Sequence, residues 1–129
     1  MDEISSNKFA SVIARILDDK LAQDISILNI ANVSVLADFF VICSAESTTQ
    51  VKALTGEVRE RVKHLFDRIP AGEENDAKNR WNLLDYGDVV VHILHKDERE
   101  TYAIEKFWSH AFKVNREDWE EDSKEYSIY

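Results

Sequence analysis

The chain has 129 residues, enough for one domain that takes about two-thirds of its unfolded surface out of water. Its 44% hydrophobic and 32% charged residues, with three glycines and one proline, exclude a disordered or fibrous chain. With 25 acidic against 16 basic residues the net charge is −9, which repels a phosphate backbone, disfavours direct nucleic-acid binding and suits a basic partner surface.

From Phe9 to Leu21 the apolar residues Phe9, Val12, Ile13, Ile16, Leu17 and Leu21 share one helical face, with Ser5 or Ser6 as cap. "DISILNI" then reads as a short strand. "ADFFVICSA", continuously apolar from Phe39 to Cys43, reads as a strand covered on both faces in the middle of a sheet. "STTQ", Ser47 to Gln50, has the form of a capping box. The helix it starts should bury Val51, Leu54, Val58, Val62 and Leu65 and stop before Pro70.

"PAGEENDAKN" is polar and unpatterned, an expected exposed loop. Trp81 to Tyr86 and Val89 to Leu94 form two strand-like runs about Tyr86-Gly87, with Gly87 supplying the positive φ at the second central position of a hairpin turn. Asp97 and Glu100 repeat the capping-box spacing before a helix carrying Tyr102, Ile104, Phe107, Trp108 and Ala111. From Glu117 to Glu125 six carboxylates accompany Trp119 and Tyr126, an acidic tail that is mobile or a partly docked helix. The order predicts an α/β fold: a mixed β-sheet of about four to five strands with helices packed on it.

Several side chains invite a chemical reading. Asp85 and Asp88 flank the hairpin turn and would hold Mg²⁺ if both carboxylates faced one side. Aspartates at such positions also bond local backbone N–H groups, and that reading leads here, because Gly56, Gly72 and Gly87 stand apart and form no phosphate-cradling loop. His92 and His95, three apart on a strand, point to opposite faces and make poor joint ligands. Cys43, the one cysteine, excludes an internal disulfide and reads as a small core residue. No motif calls for a cofactor, metal or nucleophile. Trp81, which opens a strand after a polar loop, either closes the core edge or anchors an interface. The Met-Asp-Glu start has no basic, apolar signal pattern, and no apolar run nears the roughly 18 residues that span a bilayer, so a cytoplasmic protein free of membranes is expected.

Three blocks in order, "ADFFVICSAESTTQVKAL", "WNLLDYGDVVVHI" and "RETYAIEKFW", resemble the bacterial ribosomal silencing factors, the Iojap-related proteins. The likeness covers roughly Phe9 to Ala111, departs at Ala45 where the family more often has glycine, and suggests a family domain over 1–113 with an acidic tail at 114–129. It implies a nucleotidyltransferase-like fold without that class's catalytic carboxylates. It also implies a non-enzymatic translation repressor that binds the large ribosomal subunit through its ribosomal protein number fourteen and obstructs the small subunit when nutrients are scarce. By position, the family's partner-facing surface corresponds to Trp81, Asp85, Tyr86, Asp88 and His92, with Tyr102, Glu105 and Trp108 in the last block. Trp81 and Tyr86 would be aromatic anchors, and Asp85 and Asp88 would meet basic side chains. For Tyr102, Glu105 and Trp108, packing of the last helix onto the sheet leads over partner contact. An assembly role on the large subunit and, further off, a metal-dependent nucleotidyltransferase are the alternatives. A homodimer formed through a sheet edge or an aromatic patch including Trp81 and Tyr86 is a further expectation.

Overall fold

The structure is a computed structural model and describes residues 4–126. Ser5 opens the first helix, α1 (Ser6–Asp19), its hydroxyl accepting the Lys8 N–H at 3.2 Å. Phe9, Val12, Ile13, Ile16 and Leu17 are buried, as their spacing requires. Leu21 does not continue that face: it follows the helix at φ 66° and is exposed, because the chain turns there to enter the sheet.

The strands are β1 (Gln23–Asn29), β2 (Phe39–Ala45), β3 (Gly72–Asn75), β4 (Trp81–Asp85), β5 (Val89–His95) and β6 (Phe112–Val114). They form one mixed sheet in the order β3-β4-β5-β2-β1-β6, in which only the β2–β5 pair is parallel. β2 is central and every residue of it is buried, as its unbroken apolar run implies. The count of six exceeds the four to five expected. The additions are short edge strands that carry little apolar pattern: β3, Gly-Glu-Glu-Asn, lies in the segment taken for a loop and is held by main-chain pairing to β4, and β6 is three residues long.

Helix α2 (Thr48–Phe66) starts at the Ser47 hydroxyl, which accepts the Gln50 N–H at 3.1 Å, while the Gln50 side chain reaches back to the Glu46 N–H at 2.8 Å. It ends at Asp67, left-handed at φ 53°, three residues before Pro70. The last predicted helix is two. α3 (Lys96–Tyr102) begins two residues earlier than a cap at Asp97 would set it, with His95 Nδ1 accepting the Asp97 N–H at 3.1 Å. Ala103, left-handed at φ 43°, then breaks the helix before α4 (Ile104–Phe107).

The acidic segment contains a docked helix, α5 (Arg116–Ser123), which packs on α1. Trp119 enters the core at 1% exposure, and Arg15 donates to Ser123 Oγ at 2.8 Å and to the Glu120 carbonyl at 2.7 Å. α1, α2 and α5 therefore lie on one side of the sheet and close the larger core around Phe9, Val41, Ile93 and Trp119. The other side carries a smaller cluster with the short helices α3 and α4 and neighbouring loop residues over it. No described helix is long and apolar enough to cross a membrane.

Candidate functional site

The less covered face of the sheet is built by strand alternation. Residues directly paired across strands share a face, so the registers group its side chains in rows. One row holds Asp85, Val90, Phe40 and Leu28; the next Leu83, His92, Ile42 and Ser26; the last Trp81, Leu94 and Ser44. Of these, Trp81, Leu83 and Asp85 remain partly exposed.

The segment after β5 supplies the rest of the face. Tyr102 leans on Trp81 with ring centroids 5.1 Å apart, and Trp108 meets Phe40 edge-on at 5.2 Å. Tyr102 is 49% exposed and Phe107 84%. Arg99 holds this segment down. Its guanidinium donates twice to Glu105, at 2.6 and 3.2 Å, once to Ser44 Oγ at 3.1 Å and once to Ser26 Oγ at 3.3 Å. Burial works to raise the Glu105 carboxyl, but the bonds from Arg99 outweigh it and hold Glu105 below the ordinary carboxylate range. Glu105 thus bridges the segment to the sheet.

Six of the eight residues singled out by the sequence, Trp81, Asp85, His92, Tyr102, Glu105 and Trp108, come together on this side. The other two go elsewhere. Tyr86, expected as an exposed anchor, is 5% exposed, and its ring meets Phe9 edge-on at 5.3 Å in the core beneath α1. One step along a strand reverses the face, and Asp85 already takes the open one. Asp88 accepts from Arg68 and from Ser6 on α1, at 2.9 and 2.8 Å. Burial opposes its ionisation, and those two donors more than restore it, so its pKa is lowered. A patch joining Trp81 to Tyr86 therefore does not exist in this fold.

The hairpin turn explains this separation. The register pairs Asp85 with Val90, and the Tyr86 N–H donates to the Val89 carbonyl at 2.9 Å, so the two loop residues are Gly87 and Asp88. Gly87 takes the first central position with φ 91°, the second having been expected. Asp85 Oδ1 accepts the Gly87 N–H at 2.8 Å, while the Asp88 carboxylate turns away to Arg68. The two aspartates do not converge, and among the described residues no three His, Cys, Asp or Glu side chains gather as metal ligands. Cys43 is buried, with its thiol pushed up to about 12 by burial, which fits a core role.

The family model described as "Ribosomal silencing factor during starvation" matches residues 3–128. The chain belongs to the ribosomal silencing factor family. The match takes in α5, beyond the part in which the three sequence blocks lie. "Ribosomal silencing factor RsfS" of Bacillus subtilis is 38% identical over 84% of this chain and 91% of its own length. The mouse protein named "Mitochondrial assembly of ribosomal large subunit protein 1" is 28% identical over 84% of this chain and 48% of its own. A crystal structure of a Chromobacterium violaceum protein superposes with a TM-score of 0.78 at 28% identity, covering 82% of this chain and 88% of that one.

Three further residues of this silencing-factor chain, Leu83, Phe40 and Arg99, build the open face. Leu83 was legible, since it alternates with Trp81 and Asp85. Phe40 was absorbed into an apolar run that gives no sign of which face lacks a cover. Arg99 left no pattern, because its partner Glu105 is six residues on, outside the three- and four-residue spacings of a continuous helix.

Proposed function

We propose that this chain represses translation by binding the large ribosomal subunit through ribosomal protein number fourteen and occupying space that the small subunit must enter. The observation that carries the reading is the open sheet face, where Trp81, Leu83, Tyr102 and Trp108 present apolar area that no described helix covers fully. Aromatic side chains with an apolar surround and a polar margin are what a docking centre needs. The excess of carboxylates suits a basic ribosomal protein and opposes direct contact with RNA phosphates. No catalytic step is assigned: Asp85 and Asp88, the pair a nucleotidyltransferase would need together, are engaged by separate partners. Acting on ribosomes, the protein works in the cytoplasm.

A photo-reactive side chain at Tyr102 should capture the large-subunit protein number fourteen. Adding the protein to separated subunits before magnesium should leave them unjoined in a sucrose gradient. Normal joining with the large subunit saturated would sink the steric mechanism. The printed name of the mouse relative favours assembly of the large subunit as a second reading. Accumulation of large-subunit precursors on depletion, with joining of mature subunits unaffected, would select it. Self-association through the Trp81 face would compete with docking, and light scattering of Trp81→Ala tests it; an unchanged dimer removes that face.

A further inference from the structure

His92 lies in the middle row of the open face, between Leu83 and Ile42. Phe40 approaches its ring at 4.7 Å between centroids, and its Nδ1 accepts the Trp81 indole N–H at 3.3 Å. A neutral imidazole whose Nδ1 accepts carries its proton on Nε2. Burial keeps it neutral, pushing its pKa down to about 4. His92 therefore offers an Nε2–H donor, and that nitrogen is buried without a hydrogen-bond partner among the described residues. Native interiors satisfy nearly all such groups, so an orphan donor flanked by Phe40, Leu83 and Ile42 calls for a reason. Tyr86 Oη, another buried atom without a partner, belongs to a ring in the opposite, helical layer.

We propose, resting on the reading of this face as a docking surface, that the His92 Nε2–H is its polar anchor and donates to a main-chain carbonyl oxygen of the protein partner. Trp81 has two tasks in this arrangement: its indole fixes the tautomer, and its ring forms part of the rim. The acceptor class follows from charge. Asp85 stands in the neighbouring row and Glu74, paired with Leu83, in the same one, so a partner carboxylate is repelled. The net charge of −9 disfavours a phosphate in the same way. A carbonyl oxygen accepts without bringing charge. Access requires a side chain to turn, because Nε2 is closed over in the free protein. Tyr102 and Trp108 are only partly buried and can turn while Trp81 keeps its bond to His92, and rotamer changes of this kind are common at interfaces whose backbones stay still.

The test is the affinity of fluorescently labelled protein for purified large subunits, comparing wild type, His92→Phe and His92→Gln. Phenylalanine keeps a flat ring and removes the donor; glutamine keeps an acceptor for Trp81 and a donor for the partner. His92→Phe should bind about ten-fold or more weakly, the effect of a hydrogen bond lost from a closed contact, and His92→Gln should retain most of the affinity. Equal binding by all three, or equal loss in both variants, overturns the hydrogen bond. Wild type that fails to bind large subunits overturns the docking reading itself, and this inference with it. Should His92→Phe not fold, His92→Gln and the ring-nitrogen NMR spectrum of free wild type decide. An Nε2–H tautomer supports the proposal, and an Nδ1–H tautomer overturns it.

Discussion

Replacing Tyr86 by phenylalanine removes one oxygen atom and separates two accounts of this residue. In an exposed anchor the hydroxyl would reach a partner; here it is buried with no hydrogen-bond partner among the described residues, and the ring packs edge-on against Phe9. An unsatisfied buried polar group costs about 1–3 kcal/mol, and the ring contact, worth about 0.5–1.5 kcal/mol beyond its buried area, survives in phenylalanine. Removing the oxygen also forfeits its dispersion contacts with the atoms packed around it, which offsets part of the gain. The gain in unfolding free energy should therefore lie near the low end, about 1 kcal/mol, which moves Tm up by roughly 3–6 °C for a domain of this size. Tyr86→Ala, by contrast, empties the site beneath α1 and should lose about 3–5 kcal/mol. Urea and thermal melting measure both, and co-sedimentation with large subunits should find Tyr86→Phe binding as the wild type does. A folded Tyr86→Phe that no longer binds, or one that melts earlier than the wild type, would refute the burial argument.

Other outcomes follow from the same structure. The folded-state pKa of His92 is depressed, so its contribution to stability is present above pH 6.5 and is lost as pH falls towards 4; His92→Phe should show a flatter stability profile over that window in urea melts. Tyr86 acts in the opposite sense. Its folded pKa is raised, so its contribution is lost as pH rises from 10 towards 12, a loss absent in Tyr86→Phe. Trp119→Ala should cost about 3–5 kcal/mol and expose α5 to protease, because the indole is the main side chain carrying that helix into the core; a loss under 1 kcal/mol would show α5 to be dispensable. Ala103→Gly should gain about 0.5–1 kcal/mol by relieving the left-handed alanine between α3 and α4, read as a higher Tm; a loss would mean that flexibility gained in the unfolded chain outweighs the relief.

The sequence made the large periodic elements legible. The helical spacing from Phe9 to Leu17, the Ser47 cap and the apolar run of β2 each report a local physical requirement, and each stands where it was expected. Elements held by main-chain pairing were not legible: β3 exists because Gly72 to Asn75 lie alongside β4, with no apolar alternation to announce it. Faces were harder still. Asp85, Tyr86 and Asp88 look alike as neighbours in a motif, yet the turn at Gly87 and Asp88 sends the first to the open side, the second under α1 and the third to Arg68. Family resemblance picked out the segment but could not assign a side of the sheet, which depends on where the other helices pack. Arg99 was invisible for a related reason, since its bonds to Ser26 and Ser44 close only when the strands are side by side.

Co-sedimentation with isolated large and small ribosomal subunits, wild type beside Trp81→Ala and Tyr86→Phe, tests the open-face account most directly. Trp81 is partly exposed on that face and Tyr86 lies beneath the opposite one. Wild type and Tyr86→Phe should pellet with the large subunit alone, and folded Trp81→Ala should remain in the supernatant. Unimpaired binding by Trp81→Ala, or binding lost in Tyr86→Phe, would place the contact on another surface and contradict the account.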